Sequence, residues 1–363
     1  DPRNAQAVEI FTGAFPAEFG GSRQGAVVNV ISGGTEGSGG RGSGGALTLG
    51  AGTLGAPDAR LVQHFNAGRA QISLALNGQS SNRGLDAPSR DAEHDKSSNS
   101  DQFLRIALPM GERDLLAADL SNQFASFQIP INTMFSPQSP YVAVPGTDDV
   151  QREYDRFASL SFTHTSKDGN GYVRVVPWMR WNRVAYDGDL ASDVLANVVN
   201  PDGSLTQQNG LRQDRVVTYA GLRASVFRVS DHHALKIGLD VQQSDLRSSA
   251  LIRIAGSPDF IDNVAGKGTQ TGAYVQDKWT PNPRLAISAG LRYDHSTGFT
   301  AGSQLSPRLE INDEVGHGTV LHAYVGRLYA APSLEDTRRD AVVTQTSSTA
   351  TPVYDPKPER DTY

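Results

Sequence analysis

Apolar and polar residues alternate with a period of two along most of this chain. Leu235, Ile237, Leu239 and Val241 interleave with Lys236, Gly238, Asp240 and Gln242. Leu285, Ile287, Ala289, Leu291 and Tyr293 interleave with Ala286, Ser288, Gly290, Arg292 and Asp294. The pattern recurs at Ile72, Leu74 and Leu76, at Leu104, Ile106 and Leu108, and at Ala220, Leu222, Ala224 and Val226. Each set puts one apolar and one polar face on a β-strand. No stretch sustains the three-and-four spacing of an amphipathic helix. The polar faces carry Lys236, Asp240, Arg292, Asp294, Arg105, Arg174 and Arg180. Alternation alone does not say whether the apolar face points into a core or out to lipid.

Loop lengths separate these two cases. Strands are predicted near 45–52, 59–67, 70–78, 101–109, 114–128, 152–165, 171–185, 214–229, 234–247, 270–280, 284–295, 304–313 and 318–329. Tight turns include Gly68-Arg69, Met110 to Arg113, Lys167 to Asn170, Ser230 to His233, Pro281 to Pro283 and Asp313 to His317. Between them fall longer stretches near 79–100, 129–151, 186–213, 248–269, 296–303 and 330–358. Short turns at one rim and long loops at the other predict an up-and-down antiparallel transmembrane β-barrel. Greek-key sandwiches mix their loop lengths less regularly. Trp181, Tyr186, Trp279 and Tyr293 fall near strand ends, where an aromatic girdle would sit.

Composition narrows the class further. The chain lacks cysteine, carries a formal charge of −6 and is rich in glycine. No basic patch with interleaved aromatics appears, so nucleic-acid binding is not expected. No run of about eighteen apolar residues occurs, which excludes a bundle of transmembrane helices. The chain opens on Asp1 and closes on Tyr363, and reads as an internal fragment.

The N-terminal stretch has a different pattern. Val8 to Phe11 is a short strand, Phe15 to Gly21 a turn region, and Ala26 to Ile31 a second strand. The second strand is continuously apolar and is expected to be buried on both faces. Gly33 to Gly45 is Gly/Ser-rich and reads as a flexible connector.

These stretches resemble a known family. Val8-Glu9-Ile10, Pro16-Ala17-Glu18-Phe19-Gly20-Gly21 and Gly25 to Ile31 resemble the end of the plug domain of TonB-dependent outer-membrane receptors. They most resemble the subgroup whose plug follows a carboxypeptidase-regulatory-like domain. Tyr274 to Trp279 with Leu285 to Asp294 resembles a recurring strand pair of these barrels. Ser306 to Leu309, Tyr324 to Leu334 and Lys357 to Arg360 resemble their mid-barrel signature. The resemblance implies the end of a plug at 1–35, a connector at 36–45, and the first part of a barrel, about thirteen strands, at 46–363. Members close about twenty-two strands around the plug. It further implies a transporter in the outer membrane of a Gram-negative bacterium, importing a scarce ligand of siderophore, glycan or peptide class. Its partners would be outer-membrane lipid, the imported ligand and a TonB-type energy-coupling protein acting through a segment not in this chain. The alternative on the same scaffold is an adhesin or surface-assembly role. A soluble β-protein is a third reading.

No catalytic constellation is visible, and no cofactor or enzymatic activity is expected. Gly39 to Gly45 superficially resembles a phosphate loop, but no Lys-Ser/Thr follows it. Asp91, His94 and Asp95 share a long loop, where carboxylates generally stay solvated rather than hold a cation. His232 and His233 read as exposed turn residues. Glu18, Arg23 and Gln24 lie in the last turn of the implied plug. They are the candidates for plug–barrel ion pairs or hydrogen bonds with lumen-facing charges.

Overall fold

The computed structural model describes residues 5–12, 15–20, 26–32, 43–53, 55–85, 94–131, 147–191, 193, 198–199, 205–207, 209–298, 301–316, 318–332 and 357–362. A small N-terminal hairpin pairs β1 (Ala5–Thr12) with β2 (Ala26–Ser32). The wall begins with β3 (Gly44–Gly52), β4 (Ala56–Ala67), β5 (Ala70–Ser81), β6 (Ser97–Pro109), β7 (Asp114–Gln128), β8 (Val150–Thr165) and β9 (Gly171–Asp187). A second small hairpin, β10 (Val198–Val199) with β11 (Leu205–Gln207), stands apart. The wall resumes with β12 (Gly210–Ser230), β13 (His233–Arg253), β14 (Phe260–Asn282), β15 (Leu285–Thr297), β16 (Gly302–Gly316), β17 (Thr319–Ala330) and β18 (Glu359–Thr362).

These wall strands form one antiparallel sheet of 14, in chain order from β3 to β18. The two end strands do not pair with each other, so the barrel is partial and open. All thirteen predicted strands are present, and the short β18 follows them. Among the described residues there is no helix.

The sheet settles which way the apolar face points. Register aligns Val226, Ile237 and Val275 across three strands, and these side chains are 50%, 49% and 40% exposed. Leu160, Met179, Leu222, Leu291 and Leu305 are likewise exposed. The opposite face holds Arg292, Asp294 and Arg308, all buried. A water-soluble sheet would show the reverse. Leu235, Ile237, Leu239 and Val241 occupy every second place over seven residues, about 23 Å of strand. Tilted by about 40°, that length covers about 18 Å of height, the greater part of an apolar band about 25 Å tall.

Two expectations need correction. β12, β13 and β14 run for 21, 21 and 23 residues, so the loop expected near 248–269 shrinks to residues 254–259. Beyond Val241 the polarity inverts: Gln243, Asp245 and Arg247 now lie on the outer face. On the inner face Val217, Leu246 and Val264 form a buried cluster with Tyr219. Strands leaving lipid for water exchange their apolar side. The sequence reading, tuned to one sense of alternation, therefore stopped them early. In addition, β2 is not buried on both faces. Val27 is buried, but Val28 is exposed, as are Val8 and Ile10 on β1. One face of the hairpin packs Phe11, Phe15, Phe19 and Val27 against Leu328 of β17; the other is open.

One tight turn carries a pH signature. Arg228 donates from both terminal nitrogens to Asp168, at 2.9 and 2.7 Å. That bond, followed by those from Ser166 and the Asn170 amide, holds the Asp168 carboxyl far below its ordinary value of 3.8. The folded value is the lower one. The ion pair therefore contributes above the unfolded pKa, and its contribution is lost as pH falls through the folded pKa. Asp168→Asn is expected to lower the urea midpoint slightly at neutral pH, with the gap to wild type closing in strong acid. The two urea series, run at neutral and acid pH, check it.

Candidate functional site between the N-terminal turn and the wall

Residues 15–20 form a tight turn, closed by the Phe19 amide donating to the Pro16 carbonyl at 3.1 Å. Its carbonyls face two arginines on neighbouring strands. Arg308 of β16 donates to the carbonyls of Phe15 at 3.1 Å and Pro16 at 2.5 Å, with its guanidinium over the Phe15 ring. Arg292 of β15 donates to the carbonyls of Ala17 at 3.5 Å and Glu18 at 3.4 Å. Four consecutive backbone carbonyls, of which Pro16 also accepts the Phe19 amide, are thus met by two side chains.

Arg292 is anchored from behind. Its Nε donates to Asp294 at 2.8 Å and its second terminal nitrogen to Asp240 at 3.0 Å. At 1% exposure it depends on these partners, because burying a lone cation is costly. Beside it, Glu18 accepts from Lys236 at 2.5 Å and from the Gln276 amide at 3.2 Å. The Glu18 backbone amide donates to the other end of Gln276 at 2.9 Å. Arg292, Arg308 and Lys236 against Asp240, Asp294 and Glu18 make three cations and three anions. The seam is locally neutral.

Small residues permit the close approach. A Cβ on Gly290 would lie 2.8 Å from that of Ala17, and one on Gly20 would collide with the Arg292 guanidinium. Gly290→Ala is expected to push the turn off the wall, costing about 1–3 kcal/mol. Chymotrypsin should then cut faster after Phe19. Gly78→Ala, where nothing lies within 4 Å, should leave the cutting rate unchanged.

Of the three residues named from sequence, Glu18 lies at this seam, while Arg23 and Gln24 fall outside the described residues. Sequence reasoning missed the role of Arg308 and the backbone carbonyls as its targets. Both arginines stand in stretches that carried the family resemblance, but nothing local says which carbonyls they meet. On the rest of the inner face, Arg105 pairs with Asp119 and Arg180 with Asp155. A polar cavity of about 810 Å³ lies between the turn and the wall, bordered by Glu18, Arg105, Arg174, Arg223, Lys236 and Tyr274.

Other candidates resolve into structure. Asp95 accepts the backbone amides of Gly84 and Leu85, and His94 bridges Asp148 and the Ile129 carbonyl. Asp91 lies outside the described residues, and no metal-binding group of three appears among them. Tyr186, expected in the girdle, is buried and bonded to Asp193 at 2.9 Å. Exposed His233 binds Asp277 and stacks on Trp279.

An open antiparallel wall, apolar outside and charged inside, defines the class as a membrane β-barrel. The sequence profile of the family "TonB dependent receptor-like, beta-barrel" matches residues 49–361, and the chain belongs to that family. Members are transport receptors of the Gram-negative outer membrane. No curated protein matches the sequence. Solved structures do, on fold alone. The copper transporter OprC is 13% identical at a TM-score of 0.70, with 92% of this chain and 52% of that one covered. The ferric yersiniabactin uptake receptor FyuA from Yersinia pestis is 14% identical at 0.69, with 91% and 54% covered. The unliganded ferric citrate transporter FecA is 12% identical at 0.67, with 98% and 53% covered. The chain thus spans about half the length of these structures.

Proposed function

We propose that this chain supplies the plug end (1–35), a connector (36–45) and the first wall strands (46–363) of an importer. It works in the outer membrane of a Gram-negative bacterium. The observation that carries the reading is the turn at 15–20, held inside the wall by Arg292 and Arg308. A segment anchored in the lumen serves to close a wide pore. Long loops face outward and tight turns face the periplasm. The cargo is a scarce ligand of siderophore, glycan or peptide class, and a TonB-type partner supplies the energy. The chemistry is binding and passage, not catalysis.

The test is uptake. Cells lacking the whole protein, starved and offered labelled siderophores, glycans or peptides in turn, should fail to accumulate one class. The defect should reappear in wild-type cells whose energy-coupling protein is removed. Normal uptake of every class together with lost surface attachment would overturn the importer reading in favour of an adhesin.

A further inference from the structure

We propose that Arg156, seated on the outer face of the wall, binds the phosphate of an outer-leaflet lipid headgroup. This rests on the membrane orientation proposed above. Register places Gln102, Asn122, Arg156, Trp181 and Thr218 in one outward row. Below that row lie Leu120, Ala158 and Met179, with Leu160 one step further along β8. Leu120, Met179 and Leu160 are 45%, 52% and 46% exposed, a surface that hydrocarbon covers. Above it lie Phe124 and Tyr154, with ring centroids 5.0 Å apart. Arg156 is therefore the first charge above the apolar band on β8, at the height of an aromatic belt and of lipid headgroups.

Its setting suits an anion. The guanidinium carbon lies 4.9 Å from the centroid of the Trp181 ring, which fixes its plane. Nε donates to the Asn122 amide oxygen at 3.2 Å. Among the described residues no carboxylate meets it, and its two terminal nitrogens have no partner. That two-nitrogen edge matches two oxygens of a phosphate. Neighbouring outward cations are already matched. Arg183 pairs with Asp214, Arg152 and Arg212 with Asp187, and Arg247 and Lys267 with Asp245. Arg156 is an outward cation that the described carboxylates leave uncancelled. A phosphate tethered to acyl chains gains twice, from the arginine edge and from the exposed Leu and Met below it.

The experiment uses the whole protein in mild detergent. Native mass spectrometry counts the retained lipid A with two phosphates, the same lipid with its phosphates removed, and inorganic phosphate. Wild type should retain the phosphorylated lipid. Arg156→Gln should weaken retention about five- to tenfold, the loss of one cation near a charged surface. Arg156→Lys should keep part of it, and inward-facing Arg174→Gln all of it. Equal retention by Arg156→Gln overturns the proposal, as does equal retention of the dephosphorylated lipid. Displacement of the lipid by millimolar inorganic phosphate would make this a free-anion site and also overturn it. Heat-modifiable gel migration reports the folded barrel in each variant. Its absence from membrane-extracted wild type would overturn the membrane reading itself.

Discussion

Ile237→Arg is expected to destabilise the folded wall by about 2–4 kcal/mol, whereas Gln242→Arg changes it by less than about 1 kcal/mol. Both residues sit on β13, five positions apart and therefore on opposite faces. Ile237 lies outward between Val226 and Val275, its partners on the adjacent strands. An arginine there must reach the headgroups or carry its charge in hydrocarbon. Gln242 faces inward and borders the polar cavity, where a longer polar side chain has space and water. Reversible urea unfolding of the whole protein from lipid vesicles measures both. Similar losses would mean that the strand is set one residue out of register, because a single step exchanges the two faces.

Arg292→Ala should cost about 3–5 kcal/mol, the largest effect expected at the seam. The substitution leaves Asp294, 2% exposed, without its cation and Asp240 without its partner among the described residues, and it takes the arginine from the Ala17 and Glu18 carbonyls. Arg292→Lys should recover little, since one ammonium cannot reach two carboxylates and two carbonyls together. Arg292→Ala combined with Asp294→Ala should be less harmful than the sum of the single changes, because the stranded charge is gone. Urea midpoints with chymotrypsin cutting after Phe19 read the two consequences separately. A loss under about 1 kcal/mol, with unchanged cutting, would show that the turn is held by Phe15 and Val27 packing on Leu328 instead.

The two predictions differ in how far each could be foreseen. The facing of Ile237 follows from alternation once the sense of the sheet is known. The seam does not follow in that way. The sequence singles out Glu18, but its partners Lys236 and Gln276 are 218 and 258 residues away, and no local pattern selects them. Arg292 reads from sequence as one lumen-facing charge among several. Only the packed turn shows that it spans two carboxylates and two carbonyls. The clearest misses, the extended β12 to β14 and the half-open β2, arise where one rule of polarity was applied across a change of surroundings.

By itself the sequence determined thirteen of the fourteen wall strands, the tight turns and the two-faced character of the wall. Those features rest on period-two chemistry and turn residues, which act over a few neighbouring positions. The tertiary structure decided which face meets lipid, where that sense inverts above the membrane, and which side chains hold the N-terminal turn. These depend on what lies opposite each strand, and residues that meet across the lumen are set by register and closure rather than by proximity in the chain.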